Sequence, residues 1–146
     1  MEAIVHSGAL SSLHSDYKNV AEFLYIYILE AHPRDGWTLG ENFSTMNHHD
    51  NLEDRLAAAR NLIESDTKFR TFTTDAEDLS RVRLVVDPMT DAFANAYAAA
   101  PDRAYVIEGG KMAYIGNTIQ KQCDDPYKLM TDFLREWLEV RFPAKK

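Results

Sequence analysis

Two periodicities alternate along the chain, and each predicts its own kind of element. Apolar residues recur every three or four positions over residues 7–21, 51–64 and 126–141, which predicts three amphipathic helices. Between the first two lies the continuous apolar run Phe23–Leu29, which predicts a strand buried on both faces. The predicted inward faces of the second and third helices are Leu52, Leu56, Ala59 and Ile63, and Leu129, Phe133, Trp137 and Val140.

Shorter patterns add a second strand, a helix and a hairpin. Val82–Val86 predicts a buried strand, and the alanine-rich residues 91–99 predict a short helix. Two strands, Arg103–Glu108 and Lys111–Ile115, flank Gly109-Gly110, a two-residue hairpin loop that needs positive φ. The order of helices and strands predicts an α/β fold.

Two polar segments interrupt these elements. Residues 30–49 form a connection long enough to indicate a functional loop. Residues 66–81 are polar and mixed, and we interpret them as an insertion with one helical turn at Asp75–Leu79. Phe69 and Phe72 are the candidate anchors of that insertion.

Composition limits the class of protein. The 146 residues predict a single domain over 1–146, and a net charge of −7 disfavours binding to nucleic acid or to anionic membranes. No apolar run reaches the length of about 20 residues that a spanning helix needs, so we expect a soluble, intracellular chain. A single cysteine, Cys123, excludes an internal disulfide and a Cys-x-x-Cys pair.

Titratable groups follow the first predicted strand directly. Glu30, His32 and Asp35 lie on the loop where that strand ends, and a carboxylate with an imidazole can exchange protons there. The alternative is a polar loop whose side chains only satisfy backbone groups. His32, His48, His49, Asp35 and Asp50 are also suitable zinc ligands, but no compact ligand spacing is present, so no metal site is predicted.

The amino-acid sequences of three segments, taken in order along the chain, resemble segments of the iodothyronine deiodinase family. FLYIYILEAHPRDGW, from Phe23 to Trp37, is similar to the family segment that ends in an "EAHPSDGW"-like loop. HDNLEDRLAAAR, residues 49–60, resembles the family's His-x-x-Leu-Glu-Asp-Arg helix start. The third segment, LVVDPMTDAFANAYAAAPDRAYVIEGGKMAYIG, begins at Leu84 and resembles its Val-Val-Asp-x-Met segment and the following hairpin.

The resemblance implies a thioredoxin-like sheet flanked by helices, with its first strand missing from this chain. Deiodinases carry a selenocysteine after that strand, followed by Pro-Pro-Phe and the first helix. Aligned without gaps, Met1 stands roughly where the first of those prolines would be. We therefore expect the nucleophile and its strand to lie upstream of residue 1, as would follow if a selenocysteine codon had been taken for a stop and translation assigned to the next methionine.

The resemblance also assigns roles to individual residues. Glu30 and His32 correspond to the proton-handling pair, and His49 corresponds to a histidine that meets the substrate, although the doublet His48-His49 leaves this uncertain by one place. Arg103 corresponds to the arginine of a Glu-Arg-Leu-Tyr segment, where an ion pair is an equal alternative to substrate contact. Pro101 is reminiscent of the proline that faces the redox residue in thioredoxin-like folds.

The expected function is that of an iodothyronine deiodinase-like oxidoreductase, truncated at its N-terminus and inactive as given. By resemblance it would remove iodide from thyroid hormone or a similar halogenated phenol, with a thiol reductant as co-substrate and no other cofactor. The resemblance also implies a homodimer and a full-length protein that is anchored in the membrane. The alternatives are a redox-inactive thioredoxin-like binding or scaffold module and a peroxiredoxin-type relative with another substrate. Beyond Gly116 the family's Gly-Pro loop is replaced by residues 117–120, and Cys123 is interpreted as a bystander.

Overall fold

Helices and strands alternate through most of the chain. A computed structural model describes residues 7–38, 40–41, 44, 46–100, 102–116 and 128–143. The elements are α1 (Ala9–Tyr17), β1 (Leu24–Tyr27), α2 (Leu52–Ser65), β2 (Phe72–Thr73), β3 (Val82–Val86), α3 (Ala92–Tyr97), β4 (Tyr105–Glu108), β5 (Lys111–Ile115) and α4 (Met130–Arg141). The α/β class is therefore confirmed, as is the existence of the four predicted helices and the four predicted strands; the helical turn predicted at residues 75–79 is the exception.

A parallel sheet of three strands, in the order β1-β3-β2, forms the centre of the fold. Its register pairs Tyr25 with Leu84 and Tyr27 with Val86, so these side chains share one face. Strand β2 was not predicted: it lies inside the segment interpreted as an insertion, and Phe72 anchors it with only 2% of its surface exposed. The helical turn predicted at residues 75–79 is wrong, because these residues form hydrogen-bonded turns instead.

Helix α2 covers the face of the sheet that carries Tyr27 and Leu84. Asn51 caps the helix, since its side chain accepts a hydrogen bond from the Asp54 N–H at 3.0 Å. The predicted inward face is confirmed for Ala59, which is 3% exposed, and for Ile63, which packs against the core. It is wrong for Leu52, which is 47% exposed, and it missed Arg55 and Ala58, which are buried. Small alanines let the helix approach the sheet closely, which favours this orientation over one that buries the larger leucines.

The opposite face of the sheet is only partly covered. Helix α3 packs against Ile26 and Ile28 through Phe93 and Tyr97. Because α3 has only 6 residues, it does not reach the start of β1, where Leu24 is 46% exposed. The prediction that this strand is buried on both faces is therefore wrong for its first residue.

The hairpin of β4 and β5 forms a second, antiparallel sheet. Its loop glycines have φ values of 57° and 74°, as predicted for Gly109 and Gly110. Helix α4 packs on this hairpin and on α1, where Leu13 and Leu138 are almost completely buried. Val140, predicted to face inward, is 86% exposed, because Leu138 occupies the inward position of that turn.

Within the described residues, β1 is an edge strand and β4 pairs only with β5. The carboxyl ends of β1 and β3 lie on the same side of the sheet, since the two strands are parallel. Glu30 and Asp87 therefore follow neighbouring strand ends. Pro101, residues 117–120 and Cys123, about which the sequence made predictions, lie outside the described residues.

Candidate active site

The carboxyl end of β1 places a tyrosine hydroxyl beside a carboxylate. Tyr27 is the last residue of β1 and is 2% exposed, and its hydroxyl donates a hydrogen bond of 3.3 Å to Oε2 of Glu30. Burial raises the pKa of Tyr27 above its ordinary value, and the charge and hydrogen bond of Glu30 raise it further. The phenol therefore stays protonated and holds the carboxylate at the strand end.

His49 lies on the other side of Tyr27. Its ring centroid is 5.9 Å from that of Tyr27, and both imidazole nitrogens are buried without a hydrogen-bond partner among the described residues. Burial lowers the pKa of His49 below 6.5, and Arg55 and His48 lower it further, whereas Glu30 and Asp54 act in the opposite direction. The result is a neutral imidazole with one free donor and one free acceptor.

His32 lies on the loop after β1 but is not bonded to Glu30. Its Nδ1 is 3.2 Å from the carbonyl oxygen of Trp37, and the two rings meet edge to face at 4.7 Å. Trp37 itself is 75% exposed. Glu30 therefore has Tyr27 as its hydrogen-bond partner, and His32 is fixed by Trp37, so the two predicted proton-handling residues are held separately on the same loop.

A second pair of contacts closes this loop. The carboxylate of Asp35 accepts from the backbone N–H of His48 at 2.8 Å and lies 3.1 Å from the Nδ1 of the same residue. The backbone N–H of His48 is the main cause of the lowered pKa of Asp35. Gly36 lets the His48 ring approach the loop backbone, because a Cβ at its position would stand 2.8 Å from that ring and one of the two would have to shift. Of the histidine doublet, His48 closes the loop and His49 faces Tyr27.

Arg103 lies two residues before the first strand of the hairpin, β4. Its Nε is buried without a hydrogen-bond partner, and within the described part of the chain it makes no ion pair. Next to it, Oδ1 of Asp102 is also buried without a hydrogen-bond partner, and the Asp102 carboxylate adds to the effect of burial in raising the pKa of Tyr25. Since Tyr25 and Tyr27 share a face of β1, this charge acts on the same side of the strand as His49.

The chain was compared with known proteins. The family model described as iodothyronine deiodinase matches residues 4–142. The chain belongs to the iodothyronine deiodinase family. It is 34% identical over 142 residues to the type II iodothyronine deiodinase of Fundulus heteroclitus, which covers 95% of this chain and 47% of that protein. It is also 34% identical over 132 residues to the thyroxine 5-deiodinase of Ovis aries, covering 90% of this chain and 39% of that protein.

These relatives confirm the resemblance on which the sequence analysis relied. The type I iodothyronine deiodinase of Xenopus laevis matches at 35% identity over 109 residues, or 75% of this chain and 38% of that protein. The chain thus spans less than half the length of each of these deiodinases. Membership of this family makes it a relative of oxidoreductases of thyroid hormone metabolism.

The described residues contain a buried ionic cluster that the sequence analysis did not predict. Arg55 is 3% exposed and its Nη1 donates to the carbonyl oxygens of Asp87 and Pro88 at 3.1 and 2.9 Å. The same atom lies 2.9 Å from Oδ1 of Asp91. The helical spacing of Arg55, Ala58 and Ala59 was the available signal, since it places an arginine on a face of small residues.

Asp87 completes this cluster from the end of β3. It is 2% exposed, and its carboxylate accepts from the N–H groups of Phe93 and Ala94 at 2.9 and 3.0 Å. Its own N–H donates to the carbonyl oxygen of Tyr27 at 2.9 Å. Asp87 thus links the ends of β1 and β3 to the start of α3.

The described residues lack two further kinds of feature. No group of three or more His, Cys, Asp or Glu side chains in the described ranges is arranged to hold a metal ion. The helices of the described part are all too short or too polar to cross a bilayer.

Proposed function

We propose that this chain forms the core of a deiodinase that reductively removes iodide from thyroid hormone or a similar halogenated phenol. The observation that carries the proposal is the grouping of Tyr27, Glu30 and an unpartnered His49 at the end of β1, in a chain of the deiodinase family. A carboxylate and a free neutral imidazole are the groups that a phenol and a proton transfer require.

The reaction needs a soft nucleophile and a proton. A selenolate or thiolate takes the iodine, the ring carbon keeps the electron pair of the broken carbon–iodine bond, and a proton replaces the halogen. The selenenyl or sulfenyl iodide is then reduced by two equivalents of thiol, which leave as a disulfide, and iodide is released. Glu30 and His32 are the proposed source of the proton, with Tyr27 holding Glu30 in place.

His49 and Arg103 are the proposed substrate contacts. His49 offers both ring nitrogens, and a neutral imidazole can accept a hydrogen bond from a phenol or donate one to its oxygen. The guanidinium of Arg103 has a buried Nε without a partner and suits an anionic group of the substrate.

The nucleophile is proposed to come from an additional strand that pairs between β1 and β4, as in a thioredoxin-like sheet. The free edge of β1 supports this, because an exposed strand edge presents unpaired N–H and C=O groups. Tyr105 of β4 belongs to the same apolar cluster as Ile26 of β1, so the two strands face a common space. Such a strand would end on the side of Glu30 and His49.

Iodide release tests the proposal. We expect no release from thyroxine and dithiothreitol by residues 1–146, and release by a longer version with the strand and a cysteine or selenocysteine restored. In that version, Glu30→Gln and His32→Asn should each lower kcat by about 10²–10⁴-fold, the usual contribution of general acid catalysis. Glu53→Gln, at a residue that is 75% exposed, is the matched control.

Two results would contradict the proposal. Release by residues 1–146 themselves would mean that the nucleophile lies within the chain. Thyroxine binding without release by the restored version would favour the binding-module alternative. In the unrestored chain, thyroxine should shift the NMR resonances of the His49 ring more than those of the His48 ring.

A further inference from the structure

Arg55 is a buried cation without an assigned role. The side chain is 3% exposed, on the first turns of α2, and it contacts three groups of the segment that follows β3. Burying a guanidinium costs folding free energy unless the group is paired and hydrogen-bonded, so these contacts are needed to hold Arg55 in place. Its Nε has no hydrogen-bond partner among the residues that the structure describes.

The contacts of Arg55 connect two parts of the candidate site. One end is α2, which begins at Leu52, three residues after His49. The other end is the turn of Asp87 and Pro88, and the N–H of Asp87 donates to the carbonyl oxygen of Tyr27. The side chain therefore fixes the position of the histidine relative to the strand end that carries Tyr27.

The neighbourhood of His49 contains charges from several elements. Arg55 and Asp54 come from α2, Glu30 from the loop after β1, and His48 from the preceding loop. Only one of these, Arg55, is a permanent cation, since a guanidinium does not deprotonate in proteins. Burial is the largest cause of the lowered pKa of His49, and Arg55 is the next.

We infer that Arg55 is a positioning residue for His49: it holds the turn after β3 against the first turns of α2 and supplies the fixed positive charge beside the imidazole. The inference rests on the proposed role of His49 in substrate binding. A neutral imidazole keeps one acceptor nitrogen for a phenol O–H, whereas an imidazolium has none. Asp91 is 32% exposed and its Oδ1 lies 2.9 Å from Nη1 of Arg55. Its negative charge therefore reduces the effect of the Arg55 charge on His49.

NMR titration of the His49 ring in residues 1–146 tests the inference without substrate. We expect Arg55→Gln to move the midpoint up toward about 6.5, the ordinary value for histidine. Arg55→Lys should bring the midpoint back down, because it restores the charge. Arg60→Gln is the matched control, since it removes the same charge from an exposed position of the same helix, and it should leave the midpoint unchanged.

A second variant covers the case in which Arg55→Gln does not fold. Asp91→Asn keeps Arg55 but removes the carboxylate beside it, so the midpoint of His49 should move further below that of the wild type. Equal midpoints of the His49 titration in the wild type and in Asp91→Asn would overturn the inference. Equal midpoints in Arg55→Gln and Arg55→Lys, both folded, would also overturn it. Neither result depends on iodide release, so the proposed function is tested separately.

Discussion

The hydroxyl of Tyr27 donates a hydrogen bond to Glu30 across the end of β1. The two residues are separated by three positions, yet one belongs to the core and the other to the loop. Tyr27 is held by its place in the parallel sheet and by the apolar cluster under α2. The carboxylate thereby takes its position from a residue packed in the sheet, as the proposed role of Glu30 requires.

Tyr27→Phe tests the strength of this link. At neutral pH we expect the variant to lose about 0.5–1.5 kcal/mol of unfolding free energy, the usual net contribution of one hydrogen bond. The folded-state pKa of Tyr27 is raised above 10.0, so its contribution is present below pH 10 and is lost as the pH rises further. Urea unfolding should therefore show a shallower alkaline loss for the variant, and identical alkaline slopes would contradict this.

The parallel sheet shows which strands hydrophobic periodicity predicts and which it does not. Val82–Val86 has the bounds predicted for it, because a short apolar run between polar segments has few alternatives. The pairing of β2 with β3 could not be predicted, since Phe72–Thr73 is too short to have a period and depends on its pairing with Val82 and Arg83. Local pattern defines the strand, and tertiary pairing defines its partner.

His14 should make the stability of the fold depend on pH. The side chain is 7% exposed and packs edge to face on Phe23 at 5.3 Å. Burial lowers its pKa below 6.5, Lys18 lowers it further, and Asp78 opposes them. Since the unfolded chain binds the proton more readily, the free energy of unfolding should fall as the pH drops below 6.5 and stop falling below the folded-state pKa.

Replacement of His14 isolates this contribution. His14→Gln should reduce the slope of unfolding free energy against pH between pH 7 and pH 5, measured by urea unfolding. His49 contributes a slope of the same sign, so His14→Gln, His49→Gln should be flatter than either single variant. A slope that is unchanged in all three variants would show that neither histidine is responsible.

The contact between Asp35 and His48 predicts that the conformation of the loop after β1 depends on Gly36. Gly36→Ala would place a Cβ 2.8 Å from the His48 ring and 2.9 Å from Pro33, so the ring must move away from Asp35. We expect faster amide hydrogen exchange at His48, whose N–H is bonded to Asp35, and altered NMR resonances of the His32 and Trp37 rings. Glu41→Gln, an exposed change on the same loop, is the control.

Acid should have the same effect on this loop as the alanine substitution. The folded-state pKa of Asp35 is lowered below 3.8 by the His48 N–H, so the contact is fully formed above that pH and is lost as the pH falls through the lowered value. Asp35→Ala, which removes both carboxylate oxygens, should show fast exchange at His48 at every pH. Protection that persists in this variant would mean that other contacts close the loop.

The site itself was only partly predictable. Glu30 and His32 were predicted as site residues because polar residues that follow a buried strand stand out against it, and their role stays a prediction. Arg55 was not found, because helical periodicity was assigned to Leu52 and Leu56, and a charged residue at an inward position contradicts the general rule that arginine is exposed. The contact of His48 could be recognised only in the folded structure, since its partner Asp35 is 13 positions away in the sequence.

Asp87 provides the most direct test of the link between the strand ends and the site. Both carboxylate oxygens accept from N–H groups, whereas an amide has one acceptor and one donor, so Asp87→Asn would turn an N–H toward another N–H. We expect a loss of about 1–3 kcal/mol, the cost of one buried unsatisfied donor. Asp91→Asn, a change of the same chemistry at a half-buried neighbour, should cost less than half as much.

Urea unfolding at pH 7.5 compares the two variants, and the position of the His49 resonances shows whether the damage reaches the site. Because Asp87 also donates its N–H to Tyr27 and accepts from Arg55 through its carbonyl oxygen, loosening of its side chain should disturb both residues beside His49. The His49 ring should therefore shift in Asp87→Asn, whereas the His14 ring at the opposite end of the sheet should not. Equal stability losses in the two variants, or an unmoved His49 ring, would mean that Asp87 caps α3 without supporting the candidate site.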